Sequence, residues 1–269
     1  MKKTVLVLIT FALVIAVAGS GFWLVHYFID SREQRQTYEN LAEEFVLEST
    51  PSVRPENSSS LDSSLDAGEN DVSSPVESPD TPPRHDLAAL AAENPDCAGW
   101  LTIPDAGIDY PVMHTPNDPE HYLRRDFYGD SASGGTPFLD GRNLAETENQ
   151  NLIVYGHNMM DGSMFKPLIS YLEPSFQKTH KEIYLELSEK QYRYELVTIL
   201  ETNTQCSLYQ YTDLSDPAEE SDFRAAILKE TDLDGVHQAS GYLTLSTCNN
   251  GGGNSRVLVI AALAGEVSQ

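Results

Sequence analysis

Three side chains carry chemistry worth following: Cys248, His157 and Arg256. Cys248 closes the apolar, β-branched run "GYLTLSTC", and Arg256 opens a second apolar run, "RVLVIAAL". Only "NNGGGNS" lies between them, so the two runs read as strands of one hairpin, with the thiol and the guanidinium close together in any fold. His157 ends another apolar run, "NLIVYGH". A thiol acts as a nucleophile once ionised, which nearby positive charge favours. A histidine can protonate a leaving amine. An arginine can hold a peptide carbonyl or a developing oxyanion. Taken together, the three describe acyl transfer through a thioester. Taken singly, each has an ordinary reading: a buried small hydrophobe, a hydrogen-bonded strand-end histidine, and a solvated charge.

Composition narrows the alternatives. The net charge of −24 over 269 residues argues against nucleic acid as a partner, because tracking phosphates needs clustered Lys and Arg. The three cysteines, Cys97, Cys206 and Cys248, leave at least one thiol unpaired, with a Cys97–Cys206 disulfide still open. No C-x-x-C pair is present, and His114, His121, His180 and His237 lack ligand spacing, so no metal and no cofactor are expected. Papain-like "C-G-S-C-W" and caspase-like "Q-A-C-x-G" are absent, and no G-K-[ST] follows "GGG" to make a phosphate loop.

The elements that must position these residues begin with an apolar span. After Lys2 and Lys3, no Asp, Glu, Lys or Arg occurs until Asp30, and the stretch between is long enough to cross a hydrocarbon core of ~30 Å. Apolar residues continue past the small-residue site Ala16-Val17-Ala18, which favours an uncleaved anchor over a signal peptide. The leading lysines place the N-terminus in the cytoplasm and the bulk of the chain outside. The expected organisation is a transmembrane anchor over 1–30, a juxtamembrane helix over 31–48 carrying Tyr38, Leu41, Phe45 and Val46, a disordered acidic Ser/Pro linker over 49–85, and a catalytic domain over 86–269. The linker reads as a spacer that holds the domain off the membrane.

Within the domain the pattern is strand-heavy. "GWLTIP", "IDYPVM", "GGTPFLD" and "NLIVYGH" read as strands, and "EIYLELS" with "QYRYELVTILET" as a hairpin about "EK". "DGSMFKPLISYL" reads as a helix, as does "DPAEESDFRAAILKETDL", with its Asp-Pro start and acidic first turn. These elements imply a mainly β fold, an antiparallel barrel or sandwich with helical insertions.

"TLSTC" with a downstream arginine, together with "YGHNM", "NPDCAGWLTIPDAGIDYPVM" and "YLRRDFYGDSASGGTPFLDGRN", resembles the class B sortases, cysteine transpeptidases of Gram-positive surfaces. The likeness spans about residues 86–265. It implies a closed β-barrel of about eight strands, N-terminal helices and a helix before the last two strands. It puts the family's catalytic residues on His157, Cys248 and Arg256, and a groove-lining serine on Ser246. The implied partners are secreted proteins bearing a C-terminal sorting signal, and an amine from a peptidoglycan precursor or a pilin lysine that resolves the acyl-enzyme on the outer face of the cell membrane. The short, uncharged loop "NNGGGNS" departs from the class, as does the long acidic linker, but neither touches the three catalytic positions. Hydrolysis of the same intermediate by a surface protease, and a non-catalytic surface binding domain, are the competing readings.

Overall fold

The computed structural model describes residues 2–47, 81–231, 235–249 and 253–267. Helix α1 (Lys2–Glu44) is followed by strand β1 (Val46–Leu47), and the chain is next described approaching β2 (Arg84–His85) and helix α2 (Leu87–Glu93). Then come β3 (Cys97–Ile103), β4 (Ile108–Met113), β5 (Phe138–Leu139) and β6 (Asn151–Tyr155). Helix α3 (Pro174–Thr179), β7 (Glu182–Leu187), β8 (Lys190–Asn203), α4 (Pro217–Glu230), β9 (Tyr242–Cys248) and β10 (Ser255–Glu266) complete the order. The eight strands β3 to β10 close a barrel in the order β10-β8-β7-β3-β4-β5-β6-β9.

Most pairings are antiparallel, as the alternating patterns imply. The β7–β8 hairpin turns at Ser188 and Glu189, both at positive φ (51° and 64°), one residue before the "EK" step. Two pairings, β4 with β5 and β6 with β9, are parallel. The continuous apolar run of β6 fits such a position, buried on both faces. Side chains alternate between two cores. Leu152, Val154, Leu243, Leu245 and Val259 point into the barrel. Tyr242, Leu258 and Ile260 point outward, where Phe223 and Ile227 of α4 cover them. Helix α4 starts as its sequence requires: the Asp216 carboxylate accepts from Ala218 N at 2.9 Å, with Pro217 next in line. The helix expected over "DGSMFKPLISYL" is instead a 3-10 helix over Lys166–Leu172, followed by α3. Pro174 divides them, holding Glu173 extended before it.

The N-terminal elements differ from the expected plan in two respects. Helix α1 runs unbroken through Asp30 and ends at Glu44, not at 48, because Val46–Leu47 pair with Arg84–His85. Its C-terminal part docks on the barrel, with Ser31, Gln34, Tyr38 and Leu41 buried along one stripe. Upstream, the apolar span lies bare, with Val17 70% and Phe22 74% exposed. Arg84–His85 belong to the folded part and not to the linker. The His85 backbone N–H donates to Glu186 Oε2 at 2.8 Å, its Nδ1 meets Oε1 at 2.8 Å, and its ring stacks on Trp100 at 4.0 Å. Most of the expected linker, residues 49–80, lies outside the described residues, as does residue 48 of the expected juxtamembrane helix. Its flanking strands β1 and β2 are hydrogen-bonded neighbours. The described chain thus breaks off and resumes at one place, and the docked part of α1 sets the separation between the apolar span and the barrel.

Leu245 lies wholly inside the barrel on the strand that ends in Cys248. Leu245→Ala is expected to lower stability by about 2–5 kcal/mol, read as a shifted urea midpoint at unchanged slope.

Candidate active site

The parallel ladder between β6 and β9 pairs Ile153 with Thr244 and Tyr155 with Ser246. It continues past the strand end: Gly156 N donates to Ser246 O at 3.1 Å, and the Thr247 hydroxyl donates to Gly156 O at 2.8 Å. Two residues beyond the Tyr155–Ser246 pair, the chain reaches His157 on one side and Cys248 on the other. On the other flank of β9, Arg256 of β10 is the direct partner of Cys248. Three neighbouring strands thus bring the three residues to one end of the barrel, with backbones spaced by ~5 Å per strand. Alternation fixes the face. Leu243 and Leu245 point inward, so Ser246 and Cys248 point outward; Leu258 points outward, and Arg256 shares its face. The site is on the outer wall of the barrel, and its floor is sheet.

His157 is half-buried, and its Nε2 lies 2.8 Å from the Leu123 carbonyl. A carbonyl only accepts, so Nε2 carries a proton, leaving Nδ1 as the nitrogen free to exchange one. Burial lowers the His157 pKa from its ordinary value; the Leu123 bond opposes this, and the charges of Arg124 and Arg256 add to the lowering. In a chain of net charge −24, these two cations give the site a positive local field. Arg256 Nη1 donates to Gly253 O at 3.2 Å and Ser255 O at 2.9 Å, and among the described residues it has no carboxylate partner. Asn158, next to His157, donates from Nδ2 to the Cys248 carbonyl at 2.8 Å, tying the ends of β6 and β9 together.

Ser246 is 2% exposed, and its hydroxyl is paired with the Tyr209 hydroxyl at 2.8 Å. The Tyr209 ring stacks on Tyr155, with centroids 6.2 Å apart. Tyr155 donates to Asp140 Oδ2 at 2.8 Å, and Arg142 grips the same carboxylate while also donating to the Tyr209 carbonyl at 2.8 Å. Burial alone would raise the Asp140 pKa, but the Arg142 bonds outweigh it and hold the pKa below the usual value. Anything reaching Ser246 therefore meets Tyr209 first. Sequence reasoning passed over Tyr155, Tyr209 and Asn158. Tyr155 and Asn158 flank "GH" and were open to notice, whereas Tyr209 lies in an irregular segment with no pattern to mark it. Cys97 and Cys206, whose pairing the sequence left open, are separate, buried free thiols. Burial pushes the Cys97 pKa up to about 12, so it stays a thiol, bonded to Gly99 O.

Comparison with known proteins agrees with this arrangement. The sortase domain family matches residues 101–264. A sortase B of Listeria monocytogenes is 34% identical over 169 residues, covering 62% of this chain and 68% of that protein. Among solved structures, a sortase B from Bacillus anthracis superposes with a TM-score of 0.65 at 25% identity, covering 88% of this chain and 99% of that one. A substrate complex of Staphylococcus aureus sortase B superposes with a TM-score of 0.60 at 26% identity, over 68% of this chain and 85% of that one. With the closed eight-stranded barrel, the outward-facing cysteine at the end of β9 and the flanking helices in place, the chain belongs to the sortase family and is a class B sortase transpeptidase.

Proposed function

We propose that this enzyme cleaves the C-terminal sorting signal of secreted proteins at Cys248 and passes the acyl group to an amine. The observation that carries the assignment is the register across β6, β9 and β10, which sets His157 and Arg256 on either side of Cys248 at one rim. The Cys248 thiolate attacks the scissile carbonyl, and Arg256, with two carbonyls of its own loop steadying it, faces the oxyanion that develops. The tetrahedral intermediate collapses as protonated His157 gives the Nδ1 proton to the departing amine. The thioacyl-enzyme is then resolved by an incoming amine, which passes its proton to the imidazole as the sulfur leaves, giving the product amide and restoring the thiolate and the protonated imidazole. That amine belongs to a peptidoglycan precursor or to a pilin lysine. The substrate parallel is the Staphylococcus aureus sortase B solved as a substrate complex. Ser246, with Tyr209 over it, lines the groove on the β6 side of the thiol.

The N-terminal span of α1 anchors the enzyme. Its apolar window is wholly uncovered by the rest of the fold, and two lysines precede it. The barrel and site accordingly lie on the outer face of a single-pass protein.

Incubating the full chain in detergent with sorting-signal peptides and candidate amines should trap a Cys248 thioester, visible by mass spectrometry. Cys248→Ala should abolish it and lower turnover by at least about 10³-fold. Turnover retained by that variant overturns the proposal.

The pH behaviour follows from the same geometry. Ionised thiol and protonated imidazole must coexist, so kcat/KM against pH should be bell-shaped, with limbs that belong to the pair. Arg256 disfavours a second positive charge on His157, so Arg256→Gln should raise the His157 titration point towards its ordinary value. Arg256→Lys, which keeps the charge, should leave the point low. The Cε1–H signal of His157 in a proton–carbon NMR titration reads both.

A further inference from the structure

His157 is held from two sides, and both holds lead back to helix α1. On one side is the acceptor of its Nε2 proton, the Leu123 carbonyl. The Gly134–Thr136 segment packs directly on that carbonyl. Gly135 sits at φ +60°, and a Cβ there would lie 2.5 Å from the Leu123 and Tyr122 oxygens, so only glycine permits the approach. Thr136 N donates to Tyr122 O at 3.1 Å, and the Thr136 hydroxyl donates to Arg125 O at 2.9 Å. Helix α1 fixes this segment through buried side chains. Gln34 Nε2 donates to Gly135 O at 2.8 Å, and Gln34 Oε1 accepts from Gly134 N at 3.2 Å. The Tyr38 hydroxyl donates to Gly135 O at 2.9 Å and meets Thr136 Oγ1 at 2.8 Å.

On the other side is the loop that follows His157. It folds back so that Phe165 N donates to His157 O at 2.8 Å, while Asn158 reaches the Cys248 carbonyl. The tip of this loop is again held by α1. Arg35 Nη2 donates to Asp161 O at 3.0 Å and lies 3.6 Å from Asp161 Oδ2, and Met160 N donates to the Tyr27 hydroxyl at 3.2 Å. Asp161 in turn organises the loop, accepting from Ser163 N and Ser163 Oγ. Met164 N donates to the Tyr110 hydroxyl, and the Tyr110 ring packs edge-on against Tyr38.

We infer that the C-terminal half of α1 is a positioning element for His157: Gln34 and Tyr38 set the carbonyl that receives the imidazole proton, and Arg35 sets the loop that orients the ring from the other side. None of the three touches the reacting atoms. A purely mechanical attachment of α1 would need no contact with either of these two segments, whereas here its polar side chains converge on both. The helix that carries the anchor is thereby part of the machinery that keeps the general acid in place, an inference that rests on the role proposed for His157.

The test uses the full chain in detergent with three variants. Tyr38→Phe removes one hydroxyl and keeps the ring. Arg35→Ala removes the Asp161 contact at a side chain that is 47% exposed, and Arg35→Lys restores a charged donor there. Tyr38→Phe and Arg35→Ala are expected to lower kcat by about 10-fold with KM within about two-fold, as a misplaced acid would. They should also displace the His157 NMR titration point, and Arg35→Lys should recover most of both effects. The His157 signal is assigned by its loss in His157→Gln. A wild-type titration point in both loss variants, or an unchanged kcat, overturns the inference. If His157→Gln itself turns over at the wild-type rate, the general-acid role is what fails, and that control is read before any α1 variant.

Discussion

The parallel pairing of β6 with β9 is the constraint on which the site depends. Residues 91 apart in the chain, His157 and Cys248, become neighbours at one rim only because Tyr155 faces Ser246 and the ladder continues two steps beyond. A slip of one residue would turn one partner's side chain from the outer wall to the barrel interior. Both faces resist that slip. Inside, Leu152, Val154, Leu243 and Leu245 fill the barrel with no exposed area. Outside, the Thr244 hydroxyl donates to Asn151 Oδ1 at 2.7 Å in a buried pair that a shifted register would break. The apolar inner face and this one buried polar bond select the same alignment, and the site inherits it.

Putting Cys248 on the outer wall has a structural consequence. The barrel interior is filled, so the site must be shaped by what is laid over the wall, and that is the second core. Helix α4 covers Tyr242, Leu258 and Ile260, while the segment around Tyr209 lies over Ser246. The Asp140–Arg142 pair fixes that cover, since Arg142 spans from the carboxylate beside β5 to the Tyr209 carbonyl. The lowered His157 titration point has the same origin: a half-buried imidazole near two guanidinium groups is disfavoured as a cation.

Local features were legible in the sequence, and long-range ones were not. Cys248 and Arg256 belong to one hairpin, and loop length alone places them together; the structure pairs them directly. Helix α4 was legible because its cap, its proline and its charges are all local. The parallel pairing was not legible, because the apolar run of β6 shows burial on both faces without naming a partner. The helix expected over "DGSMFKPLISYL" forms only over its last seven residues, as the 3-10 helix Lys166–Leu172 with Pro167 in its first turn, because the glycine and turn residues that open the stretch stay irregular. The likeness to a known family supplied the barrel and the pairing of His157 with Cys248, which spacing could not. Tyr209 was missed because what matters about it is a contact across 37 residues.

The acidic segment shows why composition is a poor guide to geometry. Residues 49–80 carry seven acidic side chains and one basic one, Arg54, and read as most of a spacer over 49–85. Two short strands flank it. Because β1 pairs with β2, and because His85 is locked between Glu186 and Trp100, the chain re-enters the fold beside the point where it left. The separation between the apolar span and Cys248 is therefore set by α1 itself, through Ser31, Gln34, Tyr38 and Leu41. A spacer would make that separation depend on solvent, salt and chain entropy, all of which a charged linker amplifies. A docked helix makes it depend on packing and on a few buried hydrogen bonds, which ionic strength barely changes.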